Sequence, residues 1–190
     1  MNILYTGSYR QRFDPVIREL ESLKPGSVLE FCFGDIYIAN YCNHHNISWR
    51  GMDINEAFVS NALKAGYKAE VANIKGKTEF PQADICVIAG SLYHFQETEL
   101  VVFLEKVFRS SNRLIISEPV LNLTSSKGFL GRIAGRLSRT KLGEVPFRYD
   151  SKSLTDTLNK LTTSLHFTCR IIGQFKKDMV IVAEKNSSPL

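Results

Sequence analysis

The sequence predicts an α/β fold, doubly wound, with a mostly parallel seven-stranded sheet, helices on both faces and a C-terminal antiparallel hairpin. Two observations carry that expectation. Apolar strand-like runs such as VLEFCF, DICVIA and RLIIS alternate with segments of helical periodicity, the pattern of a parallel sheet whose crossovers are helices. The chain then closes with two successive strand-like runs, HFTCRII and MVIVAE, separated only by GQFKKD, a spacing that suits a hairpin.

Each element has its own local signal. Asp14-Pro15 reads as a helix start, with Asp14 as cap and proline in the first turn. Val16, Ile17, Leu20 and Leu23 follow at helical spacing until Pro25-Gly26. Val28 to Phe33 is the first strand, and Ile36 to His45 a helix with Ile38, Ala39 and Cys42 on one face. Trp49 to Ile54 is a short strand. Asn55 can cap a helix that runs to about Lys64 and ends at Gly66, and Lys68 to Ala72 is a weak strand. Asp84 to Ala89 is strongly apolar. The stripe Leu100, Phe103, Leu104, Val107 and Phe108 marks a helix from Glu97, and Arg113 to Ser117 returns to the sheet. Ser153 is expected to cap a helix carrying Leu154, Leu158, Leu161 and Leu165.

Composition narrows the class. The 190 residues are 44% hydrophobic and 23% charged, ample for one core and for a single domain over 1–190, with 1–24 as an N-terminal cap and helix and 122–149 as an insertion or lid. No apolar run approaches the roughly 20 residues of a membrane span, and the N-terminus lacks a signal-peptide pattern, so the expected location is cytoplasmic. The four cysteines, Cys32, Cys42, Cys86 and Cys169, have no paired metal spacing and read as buried apolar groups of a reducing compartment. His44 and His45 are adjacent and share no helix face, so no metal site is expected. The net charge of +5 is local: Lys127, Arg132, Arg136, Arg139 and Lys141 follow one another with no acid between them.

In a doubly wound sheet, ligands bind beyond the carboxyl ends of the strands, near the point where strand order reverses. That rule selects the residues after Phe33, Met52 and Ala89. Glu30 and Gly34 lie at the end of the first strand, and Asp53 ends the second, 23 residues after Glu30. This is near the spacing expected of a carboxylate that binds a ribose diol. A nucleoside laid across the strand ends needs close backbone approach at one turn, which Gly34 allows, and an acid for two hydroxyls at the next.

With these residues the chain resembles the class I S-adenosylmethionine-dependent methyltransferases, over Val28 to about Val120 with a compatible C-terminal helix and hairpin. VLEFCFGD is similar to the family's first motif, an acid followed by alternating glycines, and GMDIN to the second, with Asp53 as the ribose acid. VANI puts Asn73 where an acid usually stands near the adenine. ADICVIAGSLYHF resembles the fourth-strand motif of small-molecule methyltransferases, and RLIISEP the fifth strand. The chain departs from the pattern where Cys32 and Ile36 occupy two of three glycine positions. The resemblance implies S-adenosylmethionine as cofactor, held by Tyr9, Glu30, Cys32, Gly34, Asp53, Ile54, Asn73, Ile74, Ala89 and Gly90.

The expected activity is methyl transfer to an oxygen or nitrogen of a small molecule by in-line displacement, which mainly needs alignment and exclusion of water. For an oxygen acceptor that needs a base, His94 is the candidate, alongside a purely structural role as a helix cap. Tyr93 is either a core residue or a substrate contact, and Glu118 either a substrate contact or a solvated strand-end acid. In the aromatic N-terminal segment, Tyr5 or Tyr9 could meet the cofactor's carboxylate and Arg10 or Arg12 could pair with it. The segment KGFLGRIAGRLSRTK reads as a lid whose Arg132 and Arg136 draw an acidic acceptor, or as a solvated amphipathic helix, or as a membrane-surface helix. Nucleic acid is not an expected partner. Two other readings stay open: a catalytically silent cofactor-binding or scaffold protein, and a methyltransferase acting on lipid at a membrane surface.

Overall fold

The computed structural model describes residues 12–120, 149–175 and 177–186. Tyr9 and most of the expected N-terminal cap, together with Arg132, Arg136 and nearly all of the expected lid, lie outside the described residues. The elements, in chain order, are α1 (Asp14–Leu23), β1 (Ser27–Phe31), α2 (Tyr37–His44), β2 (Ser48–Asp53), α3 (Glu56–Lys64), β3 (Lys68–Val71), β4 (Ile85–Ala89), a 3-10 turn (Leu92–His94), α4 (Glu97–Ser110), β5 (Arg113–Pro119), α5 (Ser151–Ser164), β6 (Phe167–Phe175) and β7 (Asp178–Lys185).

The seven strands form one sheet in the order β3-β2-β1-β4-β5-β7-β6. β3, β2, β1, β4 and β5 pair in parallel, and β7 inserts antiparallel between β5 and β6. Alternate side chains of the sheet feed two cores. Leu29, Phe31, Cys86, Ile88, Leu114 and Ile116 pack with Phe103, Leu104 and Val107 of α4 and Leu154, Leu158 and Leu161 of α5. Val28, Ile85, Val87, Ile115, Val180 and Val182 pack with Val16 and Leu20 of α1, Ile38 and Cys42 of α2, and Val59 and Ala62 of α3. The doubly wound sheet with helices on both faces and an antiparallel C-terminal pair is therefore as expected. None of the described helices is long and apolar enough to cross a membrane.

Several boundaries differ from the sequence-based expectation. Phe13, not Asp14, takes the capping position of α1, because Phe13 has helical dihedrals and its carbonyl already accepts from the Ile17 N–H at 2.8 Å. Asp14 sits in the first turn, where its charge complements the helix dipole. α5 is capped by Asp150, whose carboxylate accepts from the Ser153 N–H at 2.7 Å, while the Asp150 N–H donates back to the Ser153 hydroxyl oxygen at 2.9 Å. Ser153 is thus the returning half of a reciprocal box. Asn55 caps α3 as expected, accepting from Ala57 N–H at 2.9 Å. The C-terminal strands run further into GQFKKD than the sequence suggested, pairing as far as Phe175 with Asp178.

Candidate active site

The strand order reverses between β1 and β4, so the crevice beyond their carboxyl ends is the place for a ligand. β1 leaves the sheet earlier than expected, at Phe31, because Cys32 adopts a left-handed conformation (φ 52°). Its N–H still donates to the Met52 carbonyl at 2.7 Å. Gly34 is also left-handed, at φ 62°. For a non-glycine residue this conformation costs on the order of 1–2 kcal/mol, and the partly buried Cys32 side chain packs against the core around Leu29 and Phe31. Burial and the nearby Asp53 carboxylate push the Cys32 thiol up to about 12, so it stays protonated. Asp35 then accepts from the Tyr37 N–H at 2.7 Å and opens α2.

Asp53 closes the next strand end. Its carboxylate is buried, with Oδ2 accepting from the Gly34 N–H at 3.1 Å and Oδ1 from the Asn55 N–H at 2.8 Å. A carboxylate has about four acceptor positions, so two main-chain bonds hold it and leave acceptor capacity for a diol. Ile54, beside it, is 58% exposed, and Val71 on the neighbouring strand end is 50% exposed. These form an apolar ledge next to the acid. Asn73 is exposed just beyond β3, its Oδ1 accepting from the Lys75 N–H at 3.1 Å. Ile74 is buried, its side chain in the core with Phe80 and Phe103.

Glu30 is buried on β1 and accepts from the Trp49 indole N–H at 2.9 Å through Oε2, while the buried Oε1 has no hydrogen-bond partner. Burial, reinforced by Asp35 and Asp53, holds its carboxyl well above the ordinary value of 4.5. It lies at the site's floor, where burial disfavours its charged form.

At the other side of the crevice, β4 ends at Ala89 and turns at Gly90 (φ 67°), whose N–H donates to the Ser117 carbonyl at 2.6 Å. A side chain at Gly90 would collide with the Arg12 guanidinium, which lies directly over it. Arg12 is itself buried and ion-paired with Asp178 at 3.4 Å. The 3-10 turn that follows presents Tyr93 and His94, both half-buried, with their rings 4.1 Å apart. His94 does not cap α4; Gln96 does, in a reciprocal box with Glu99.

Glu118 corrects the other expectation. It is neither solvated nor open to a substrate, but buried beneath the turn, with Oε2 accepting from the Leu92 N–H at 3.0 Å. Burial raises its carboxyl to about 7, against the lowering effect of the Leu92 bond and of Arg12. The structure therefore gathers Glu30, Cys32, Gly34, Asp53, Ile54, Asn73, Ala89, Gly90, Tyr93 and His94 along one line of strand ends. Sequence reasoning missed Trp49 and Asp178 as partners of site residues. The Trp49 contact follows from the β1–β2 register, and Asp178 from the extension of β7 into the expected loop. Among the described residues, no group of three His, Cys, Asp or Glu side chains is placed to hold a metal ion.

No family model and no curated protein sequence matches the chain. Solved structures do. The methyltransferase domain of bacterial CtHen1 superposes with a TM-score of 0.71 at 17% identity, covering 94% of this chain and 98% of that one. The fold is that of the class I methyltransferases. Magnesium protoporphyrin IX methyltransferase (ChlM) from Synechocystis PCC 6803, with bound SAH, shares this methyltransferase fold with a TM-score of 0.70 at 16% identity, covering 95% of this chain and 84% of that one. The DhpI–SAM–HEP complex gives 0.62 at 16% identity, covering 94% and 91%. In this methyltransferase fold the crevice between β1 and β4, with Asp53 beside it, is the site to be explained.

Proposed function

We propose that the protein is an S-adenosylmethionine-dependent methyltransferase acting on an oxygen or nitrogen of a small molecule. The observation that carries this reading is the Asp53 carboxylate, held at the end of β2 by the Gly34 and Asn55 N–H groups with acceptor capacity to spare. Asp53 would accept the ribose hydroxyls, Gly34 would allow close backbone approach, and Ile54 and Asn73 would flank the base. Glu30, with an unpartnered buried oxygen, and the carbonyl edge of Ala89 and Gly90 would border the methionine end. When bound, the cofactor supplies a methyl group on a sulfonium cation, and the Asp53 carboxylate beside the crevice suits a cation electrostatically.

On the acceptor side, Tyr93 and His94 line the crevice from a turn fixed by Glu118. His94 would take a proton from an acceptor hydroxyl or amine, and Tyr93 would pack against the acceptor. The acceptor is proposed to be a small, acidic molecule drawn by Arg132 and Arg136. Calorimetric titration with S-adenosylhomocysteine tests the cofactor part, and turnover with candidate acceptors in a His94→Gln variant tests the base.

A second reading, a catalytically silent protein of the same fold, is favoured by one feature: the Arg12 guanidinium packed over Gly90 in the space a ligand would cross. A silent scaffold gives no heat of binding in the titration, and a silent cofactor-binding protein gives heat without turnover of any acceptor.

A further inference from the structure

Lysine is almost never fully buried unless its charge is compensated. Lys106, on α4, is only 7% exposed. Its ammonium donates to three main-chain carbonyls, those of Ile74 at 3.2 Å, Lys75 at 3.1 Å and Lys77 at 2.9 Å. It also stands 5.5 Å from the centroid of the Phe80 ring. An ammonium has three donors, and here three carbonyls of a single turn take them.

That turn begins at Asn73. The Gly76 and Lys77 N–H groups both donate to the Asn73 carbonyl at 3.1 Å, and the Asn73 side chain accepts from the Lys75 N–H. The amide ends of the turn are thus satisfied by Asn73 and the carbonyl ends by Lys106. A second strap, Lys75 to Glu99 at 2.8 Å, is partly exposed and ties the same turn to the same helix, as a weaker contact. An apolar residue at 106 would pack equally well against Phe80. The energetic reason for a buried lysine is therefore the turn: the carbonyl of buried Ile74 would otherwise lack a donor, and those of half-buried Lys75 and Lys77 converge on the same ammonium.

We propose that Lys106 is a positioning residue for the base end of the cofactor site: from α4 it fixes, through three carbonyls, the turn that sets the placement of Asn73 beside Ile54. The inference rests on the methyltransferase reading. Lys106 touches no ligand atom; it acts through the main chain of residues 73–77. Arginine is no substitute, because a planar guanidinium cannot converge on three carbonyls as a point donor does.

The test uses the full chain with Lys106→Met and Lys106→Gln, the second keeping two donors in case the first does not fold. Calorimetry measures S-adenosylhomocysteine and its deaminated analogue, S-inosylhomocysteine. The expected result is a loss of S-adenosylhomocysteine affinity of about tenfold in Lys106→Met, smaller in Lys106→Gln. The preference for the adenine ligand over the inosine ligand should fall, and the Gly76 and Lys77 amides should exchange faster with deuterium. A purely structural lysine would lower the melting temperature and leave that preference unchanged, which overturns the proposal. The wild type separates the two readings. If it binds and both variants bind with equal affinity and preference, only the role of Lys106 fails. If the wild type binds neither ligand, the methyltransferase reading fails first and this inference with it.

Discussion

The Gly34 N–H donates to Asp53 Oδ2 at 3.1 Å, tying the turn after β1 to the end of β2. One bond sets both halves of the candidate nucleoside site: the backbone that must let a ligand approach and the carboxylate that must receive it. The second Asp53 bond, from the Asn55 N–H, joins the same carboxylate to the start of α3.

Asp53→Ala should therefore act twice. It removes the proposed diol acceptor, and it orphans two N–H groups at a cost of about 1–3 kcal/mol each if they are not rehydrated. Asp53→Asn keeps one oxygen acceptor and should fall between wild type and alanine in melting temperature. Thermal denaturation of the three proteins checks the order; equal melting temperatures would mean the carboxylate does not hold the turn.

Cys32 stands in a left-handed conformation that glycine adopts freely. Cys32→Gly relieves roughly 1–2 kcal/mol of strain and gives up the packing of a small, partly buried side chain. These nearly cancel, so the melting temperature should stay within a few degrees of wild type. S-adenosylhomocysteine affinity should hold or improve. A strong loss of affinity in the folded variant would show that the thiol packs against the ligand.

Thiol chemistry gives an independent check on burial. Desolvation pushes Cys32, Cys42 and Cys86 up to about 12 and Cys169 up to about 11. Since the thiolate is the nucleophile, none of the four should react appreciably with iodoacetamide at pH 8 in the folded protein, whereas all should react in denaturant. Mass spectrometry reads the outcome, and fast labelling of Cys32 in the native chain would contradict its placement under the strand end.

The folded chain holds the Glu118 proton up to about pH 7, above the ordinary 4.5. Between those values the folded state binds more protons than the unfolded state, so stability falls as pH rises and the loss is complete above about 7. The span corresponds to roughly 3 kcal/mol. Glu118→Gln, whose amide oxygen still accepts from Leu92, should be more stable than wild type at pH 8 by more than at pH 4. Denaturant titrations at the two pH values test this, and an equal difference at both would place Glu118 in water.

Much of this architecture is legible in the sequence, for physical reasons. Parallel strands buried on both faces are apolar throughout, and helices such as α4 carry one apolar stripe, so both stand out from their neighbours. Asp53 was legible because a strand-end acid at a fixed distance from Glu30 is a local pattern. Trp49 to Glu30 and Arg12 to Asp178 were not, since they depend on register and on a contact between a residue just ahead of α1 and the last strand. Glu118 is buried where a solvated or substrate-facing acid was expected, because a motif fixes a residue's place along the chain but not the side to which it points. Lys106 gave no signal, being one charged residue beside an apolar stripe.

Calorimetric titration of the wild-type chain with S-adenosylhomocysteine, beside Asp53→Ala, tests the central claim most directly. The account predicts one-site binding by the wild type and an affinity at least about tenfold weaker, a difference of about 1.4 kcal/mol, in a folded Asp53→Ala variant. No binding to the wild type, or equal binding to both proteins, would contradict it.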